Sequence, residues 1–213
     1  MSFLIDTSLA LVLFSVLIAL GAGRLPGLIR VVAFQGIVVS VVPLLIGHNL
    51  SAGGIAFTVA TLVIRGLVIP LAIYIAIHRR AIRREVEPIV GLHASLLAGL
   101  VLIVAATWVG RSFQLPTASD SRLLLPTAIS LLVAGMFLLM ARRNAIAMVL
   151  GYVMLENGIY VVGTTFSLRT HHIVEFGILL DVLAGIMIMA ILLQHIKQTS
   201  GDVDTSLMRS LKD

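Results

Sequence analysis

Glu156, Asp181, Arg65 and Gln35 each stand near the middle of a long apolar run of the chain. If these runs are membrane-spanning helices, four polar groups lie at about the same depth in the bilayer. An ionised side chain there costs at least about 2.5–3.5 kcal/mol, so such residues usually face the interior of a helix bundle and carry function. A buried carboxyl group that exchanges between neutral and ionised forms is what a proton relay requires. The pattern therefore predicts a mid-membrane proton pathway.

Three further side chains join these candidates by their spacing. Tyr152 and Tyr160 flank Glu156 at i−4 and i+4, which places all three on one side of a helix. The two phenols offer the carboxylate hydroxyl partners. His93 lies near the start of another apolar run, where it could join the same polar path.

Arg65 has no carboxylate in its own run, so we expect its partner on another helix, with Glu156 and Asp181 as the available choices. Buried polar groups also hold helices together through hydrogen bonds, each contributing about 0.6–2 kcal/mol. Two carboxylates and one arginine in a medium of low dielectric favour coupled protonation, because an unpaired charge there tends to be neutralised. A purely structural role is the alternative.

The composition is that of a membrane protein. Of the 213 residues, 59% are hydrophobic and 12% are charged, and the mean hydropathy is +1.11. Ordinary soluble domains carry about 25% charged residues. The apolar runs are continuous, as helices that cross about 30 Å of hydrocarbon require, and they lack the alternation of a transmembrane β-barrel. The predicted fold class is an all-α polytopic membrane protein.

Composition and motifs also exclude several functions. The net charge of +5 is better explained by membrane topology than by nucleic-acid binding. The chain has no cysteine, which excludes disulfides, thiolate catalysis and cysteine-ligated zinc or iron–sulfur clusters. The sequence contains no P-loop, GxSxG or HExxH pattern and no hydrolytic triad. We therefore expect no catalytic site and no metal site in this chain.

Seven transmembrane helices are predicted from the apolar runs and the breakers between them. Their ranges are 3–22, 27–47, 52–78, 89–110, 122–141, 145–167 and 172–195. The first run lacks a basic leading region and a clear cleavage site, so we interpret it as a retained helix rather than a signal peptide.

Basic residues predict the orientation, because they are enriched in cytoplasmic loops. With the N-terminus outside, eleven of them fall on the inner side and three on the outer side, and Arg65 lies within a span. The inner set is Arg24, Arg30, Arg79, Arg80, Arg83, Arg84, Arg142, Arg143, Lys197, Arg209 and Lys212, and the outer set is Arg111, Arg122 and Arg169. The prediction is N-terminus out and C-terminus in.

The spans suggest four segments. Residues 1–88 form a three-helix segment, 89–121 a linking helix with an outer loop, 122–197 a second three-helix segment, and 198–213 a polar cytoplasmic tail. Both three-helix segments have a basic turn after the first span and central polar residues in the second and third. They would be a degenerate parallel repeat.

One stretch resembles a known family. Ala141-Arg142-Arg143-Asn144 followed by Gly151-Tyr152-Val153-Met154-Leu155-Glu156-Asn157-Gly158 looks like the hydrogenase-4 component E family, and the span from Gly177 to Met189 with Leu180-Asp181 resembles that family's last helix. The family is related, through its last three helices, to the K subunit of respiratory complex I and to the C subunit of multisubunit sodium/proton antiporters.

The resemblance implies a non-catalytic membrane subunit of a complex-I-like assembly, such as a group 4 nickel–iron hydrogenase or formate hydrogenlyase. Glu156 matches by position the first of two carboxylates that line a hydrophilic axis in K-type subunits, and Asp181 stands in place of the second, a glutamate. The implied partners are antiporter-like and other membrane subunits and a peripheral hydrogenase-type arm, which would hold the nickel–iron centre and the iron–sulfur clusters. The implied location is the cytoplasmic membrane of a bacterium or archaeon.

Two other functions are open at this level. The chain could be a structural anchor of the same assembly, in which the polar groups only order the helices. It could also be a stand-alone secondary transporter, which would predict discontinuous helices at corresponding positions of two repeats.

Overall fold

The computed structural model describes residues 2–46, 52–78, 89–112 and 121–166, and this part of the chain is helical. The helices are α1 (Ser2–Leu20), α2 (Leu25–Ile46), α3 (Ala52–Val63), α4 (Ile69–His78), α5 (Leu92–Ser112), α6 (Leu124–Ala141) and α7 (Ala145–Phe166). A π-helical turn, Ile64–Val68, joins α3 to α4. We call α3, the π-turn and α4 together the third span.

Within the described ranges, six helices are long and apolar enough to cross a membrane, which makes the chain a multi-pass membrane protein. They coincide with the first six predicted spans to within three residues at each end, so the all-α class is confirmed. The seventh predicted span, 172–195, and the C-terminal tail lie outside the described residues. The four-segment division and the orientation remain predictions.

Helices α5 and α6 cross the bundle in opposite directions. The Ile89 N–H, just before α5, donates a 2.9 Å hydrogen bond to the carbonyl oxygen of Ala141, the last residue of α6. At the other end, a β-carbon at Gly110 of α5 would lie 2.7 Å from the Pro126 ring of α6. Because both ends of the pair meet in this way, α5 and α6 are antiparallel.

Helices α1 and α6 are parallel, and their ends are joined at both faces of the bundle. Near their starts, Ser121 Oγ donates a 2.6 Å hydrogen bond to Asp6 Oδ1. Near their ends, Arg142 Nη2 donates a 2.7 Å bond to the carbonyl oxygen of Leu20. Two short turns, 21–24 and 142–144, therefore lie at one end of the bundle, and both contain arginine. This arrangement agrees with the alternation that the predicted topology requires.

The centre of the bundle is the contact between α6 and α7. A β-carbon at Gly135 would lie 2.5 Å from the backbone nitrogen of Leu155 and 2.7 Å from the carbonyl oxygen of Gly151. Only glycine allows two helix backbones to approach so closely, as small residues commonly do between membrane helices. Helix α2 packs on α7 and on α1, so α7 has protein on several sides. Its central polar residues are thereby held inside the protein.

Helix α5 is peripheral by comparison. Within the described part of the chain it buries only Ser95, Gly99 and Ala106, and Trp108 is 72% exposed. The small buried residues allow α5 to lie against α1 and α6, while its large apolar side chains point outward. That is the distribution expected of a helix that faces lipid.

Candidate functional site: a buried ion pair in the middle of the bundle

Arg65 and Glu156 form an ion pair inside the bundle. Arg65 Nη2 lies 2.8 Å from Glu156 Oε1, and each side chain is 1% exposed. The expectation that Arg65 pairs with a carboxylate from another helix is confirmed, with Glu156 as the partner. Each charge would be costly alone in an apolar environment, and the contact offsets part of that cost for both.

Two further groups of α7 contact the guanidinium. Arg65 Nη1 donates a long hydrogen bond of 3.4 Å to Asn157 Oδ1, and Arg65 Cζ lies 4.5 Å from the centre of the Tyr160 ring. The ring face supplies a cation–π interaction. Glu156, Asn157 and Tyr160 lie within about one turn of α7, so a single arginine binds one patch of that helix through three kinds of contact.

The two tyrosines occupy different positions around this pair. Tyr160 is 3% exposed and lies against Arg65, whereas the sequence suggested a hydrogen-bond role towards Glu156. Tyr152 lies one turn before Glu156 along α7 and is half-buried. The sequence predicted that Tyr160 and Glu156 share one side of α7. The contact that was not predicted is the one between the aromatic face of Tyr160 and the Arg65 guanidinium.

The third span presents Arg65 from its π-turn. In that turn the Ile69 N–H donates to the carbonyl oxygen of Ile64, five residues earlier, instead of four. Arg65 is buried together with Thr58 and Thr61 of α3, which are each 4% exposed. The sequence predicted a single span over 52–78, and the π-turn within it was not predicted.

Gln35 lies at the same level but makes a different contact. It is fully buried, and its Nε2 donates a 3.0 Å hydrogen bond to Ser15 Oγ of α1. The next residue, Gly36, touches the backbone of Arg65: a β-carbon there would lie 3.0 Å from the Arg65 carbonyl oxygen. The common depth of Gln35 and Arg65 is thus correct, while the Gln35 side chain points towards α1.

Of the remaining candidates, only His93 lies within the described residues, and it does not join the pair. His93 is exposed at the second residue of α5, near one end of the bundle rather than at its middle. Asp181 lies outside the described residues. Asn157, in contrast, contacts Arg65 and was not among the predicted site residues. Its signal in the sequence is a second polar residue directly after Glu156 in an otherwise apolar run.

A second buried arginine closes one end of the bundle. Arg142 directly follows α6, is 2% exposed, and binds the last carbonyl of α1. That carbonyl is one of the four at a helix C-terminus without an intrahelical partner, and a cation there is favoured by the helix dipole. Burial lowers the pKa of the Arg142 guanidinium below its usual value. The sequence placed Arg142 among the residues of a cytoplasmic turn and gave no sign of its burial.

The chemistry available at the site is that of a carboxylate and a guanidinium buried in the protein. Among the described residues, no three His, Asp or Glu side chains come together as metal ligands. Glu156 can bind a proton only if the charge of Arg65 is balanced by another group at that moment, since an unbalanced cation in the interior is costly. The pair is therefore suited to coupling a protonation event to a change of ionic partner.

Two kinds of relative match this chain. The uncharacterized protein Rv0085 of Mycobacterium tuberculosis is 31% identical over 207 residues, which cover 95% of this chain and 93% of that protein. Hydrogenase-4 component E of Escherichia coli K12 is 29% identical over 118 residues, 55% of this chain and 54% of that protein. The same component of Shigella flexneri matches equally. The match to component E thus spans about half of either chain.

No family model matches the chain, and no solved structure shows a significant match. The resemblance to component E that the Glu156 segment suggested is nevertheless confirmed by the match over 118 residues. The chain belongs to one family with the mycobacterial protein Rv0085 and is a homologue of hydrogenase-4 component E.

Proposed function

We propose that this chain is a non-catalytic membrane subunit of a complex-I-like assembly of the group 4 hydrogenase type. In this proposal it contributes mid-membrane carboxylates to the translocation of protons or sodium ions, or to their coupling to a redox reaction. The homology to hydrogenase-4 component E supports the type of assembly. The observation that carries the mechanistic part is the fully buried ion pair of Arg65 and Glu156.

The proposal assigns the redox chemistry to other subunits. Antiporter-like membrane subunits would lie beside this chain, and a peripheral hydrogenase-type arm would carry the nickel–iron centre and iron–sulfur clusters. A chain without cysteine has no thiolate ligands to offer such centres. The location that follows is the cytoplasmic membrane of a bacterium or archaeon, with the chain anchored by its apolar helices.

The ion pair supports a simple coupling step. Glu156 is ionised while it holds Arg65, and the two charges cancel. When a proton reaches the Glu156 carboxylate, the neutral acid releases the guanidinium, which then needs another anion. Asp181, the other mid-membrane carboxylate predicted from the sequence, is the candidate in this chain, and a carboxylate of a neighbouring subunit is the alternative. A proton taken up at Glu156 would thus move a positive charge within the membrane.

A structural anchor is the competing function, and one observation favours it. Arg65 is held by a carboxylate, an amide and an aromatic ring at once, which suits a fixed clamp between the third span and α7. A stand-alone transporter has less support. Such carriers use broken helices in both repeats, whereas α2 continues as a helix through Pro43.

Two substitutions of Glu156 separate the relay from the clamp. Glu156→Gln keeps the size of the side chain and an oxygen that can accept a hydrogen bond from Arg65, but it cannot ionise. Glu156→Asp keeps the ionisable group and shortens the side chain by one methylene. A relay predicts that complexes containing the glutamine variant do not pump, with part of the activity per complex kept by the aspartate variant. A clamp predicts normal pumping by every complex that assembles, and less assembly of the glutamine variant, because it leaves Arg65 without its counter-ion.

The measurement is proton pumping by membrane vesicles that contain the intact complex, with the amount of assembled complex determined in the same vesicles. Full pumping by the Glu156→Gln complex would remove Glu156 from any obligatory proton path. Pumping that scales only with the amount of assembled complex, for both variants, would assign Glu156 to the clamp.

A further inference from the structure

The π-turn changes which side of the third span faces the bundle. A π-turn contains one residue more than an α-helical turn, so it rotates the residues that follow it by about 100° relative to a continuous α-helix. Thr61 and Arg65 are buried before or within the turn, and Ile69 and Ile73 are buried after it. In a continuous α-helix the three i, i+4 steps from Thr61 to Ile73 would drift by about 120° around the axis. The extra residue removes most of that drift.

Pro70 explains why the extra residue stands at this place. Proline has no N–H to donate to the carbonyl of Gly66, and its ring collides with that carbonyl in a regular α-helix. The π-turn ends at Val68 and is closed by the N–H of Ile69, the residue directly before Pro70. Proline alone is not sufficient, because α2 contains Pro43 and remains an α-helix.

Close contact with α2 supplies the second condition. A β-carbon at Gly36 would lie 3.0 Å from the Arg65 carbonyl oxygen, and one at Gly66 would lie 2.6 Å from Ile37 Cγ1. Gly36 is needed for α2 to touch the backbone of the turn, and Gly66 leaves room for the Ile37 side chain. Helix α2 therefore packs directly against the widened turn and stabilises it.

From these contacts we infer that Pro70 is a positioning residue, which fixes the π-turn and thereby directs Arg65 at Glu156. With an alanine at 70, the backbone N–H and the space for an α-helical bond to Gly66 are restored. A continuous helix that keeps Ile73 buried then turns Arg65 away from α7. The inference deepens the proposed function, because the ion pair is the group on which that function rests, but its test measures geometry alone.

The test is an engineered disulfide between α2 and the π-turn. A β-carbon at Gly66 would lie 3.9 Å from Ile37 Cβ, within the range of about 3.5–4.5 Å found in disulfides. The chain has no cysteine of its own, so Ile37→Cys with Gly66→Cys gives the only intrachain pair. We expect this pair to oxidise readily in native membranes, as seen by gel mobility or mass spectrometry.

Pro70→Ala in this background should reduce the yield of the disulfide several-fold, because Gly66 moves with Arg65. Pro43→Ala is the matched control, since it removes a proline from the interior of α2 and should leave the yield unchanged. Deleting the exposed Leu67 together with Pro70→Ala removes the extra residue of the π-turn. The residues before and after the deletion, Arg65 and Ile73 among them, then stay on the buried side of the span. That double variant should restore the disulfide.

An unchanged disulfide yield in Pro70→Ala would overturn the inference whether or not the complex pumps protons. So would failure of the Leu67 deletion to restore the yield, or absence of that double variant from the membrane. If Pro70→Ala reduces the disulfide yield and the Leu67 deletion restores it, while Glu156→Gln pumps normally, the proposed relay is rejected and the positioning role of Pro70 stands.

Discussion

Arg65 and Glu156 are 91 residues apart in the chain, yet their side chains meet at 2.8 Å in the middle of the bundle. The pair joins the third span to α7, and so connects the N-terminal part of the chain to the part that contains the component E-like segment. Neither charge has low-cost access to water at this depth. The two residues therefore act as one unit, and changes at one are expected to depend on the other.

A double-mutant cycle tests that dependence. Arg65→Leu should destabilise the protein by about 3–5 kcal/mol, because it leaves the Glu156 carboxylate buried without its counter-ion. Arg65→Lys should cost less, since it keeps the charge. The combined Arg65→Leu and Glu156→Leu variant should recover much of the loss, because apolar replacement of a whole buried pair is often neutral. The measurement is the thermal stability of the detergent-solubilised complex, and strictly additive effects of the two substitutions would contradict the pairing.

The glycine contact between α6 and α7 gives a second prediction. Gly135→Ala would place a β-carbon 2.5 Å from a backbone nitrogen of α7, and backbone cannot move aside as a side chain can. We expect a loss of about 1–3 kcal/mol, as is typical of overpacked cores, and less chain in the membrane. Gly27→Ala is the control, because nothing lies within 4 Å of its added β-carbon. Equal amounts and stabilities of the two variants would show that α6 and α7 are not so closely packed.

Sequence reasoning was most successful where depth in the membrane decides position. A polar residue at the centre of an apolar run has few places to go, so Arg65, Glu156 and Gln35 were correctly placed inside and at one level. The choice between Glu156 and Asp181 as partner of Arg65 could not be made from the sequence. It depends on which helices are neighbours, and run lengths contain no such information.

The direction of side chains was the harder part. Gln35 binds Ser15 of α1, because its position on α2 faces α1 rather than the third span. His93 was a candidate by its position along a run, but the second residue of a helix lies near the end of the bundle. The π-turn could not be predicted from the spacing of apolar residues, because that spacing was interpreted with the period of 3.6 residues of a regular α-helix. Pro70 was its only local signal.

The orientation in the membrane is a third prediction. One end of the bundle contains the arginine-bearing turns 21–24 and 142–144, and the basic asymmetry places that end in the cytoplasm. A cysteine introduced at Arg83 should resist membrane-impermeant thiol reagents in intact cells, whereas one at Ser119 should react. Both sites should react after the membrane is permeabilised, which controls for local accessibility. The opposite pattern in intact cells would reverse the orientation of every span.

The two adjacent arginines after α6 give the last prediction, because they differ in burial and in little else. Arg142 is buried and donates to the last carbonyl of α1, whereas Arg143 is exposed. A hydrogen bond from a charged donor contributes about 1.5–3 kcal/mol, and the helix dipole adds a smaller term. The desolvation that lowers the pKa of Arg142 opposes both, so the net loss on removing the residue is expected near the lower end of that range. Arg142→Met should therefore lower the melting temperature of the solubilised complex, and Arg142→Lys, which keeps the charge but loses the planar donor group, should lie between it and the parent.

Arg143→Met removes the same charge from the same turn without removing a buried contact, and should leave the melting temperature unchanged. If the methionine substitutions at 142 and 143 have equal effects, the contact with Leu20 does not contribute to stability, and Arg142 serves only as one of the basic residues that orient the chain.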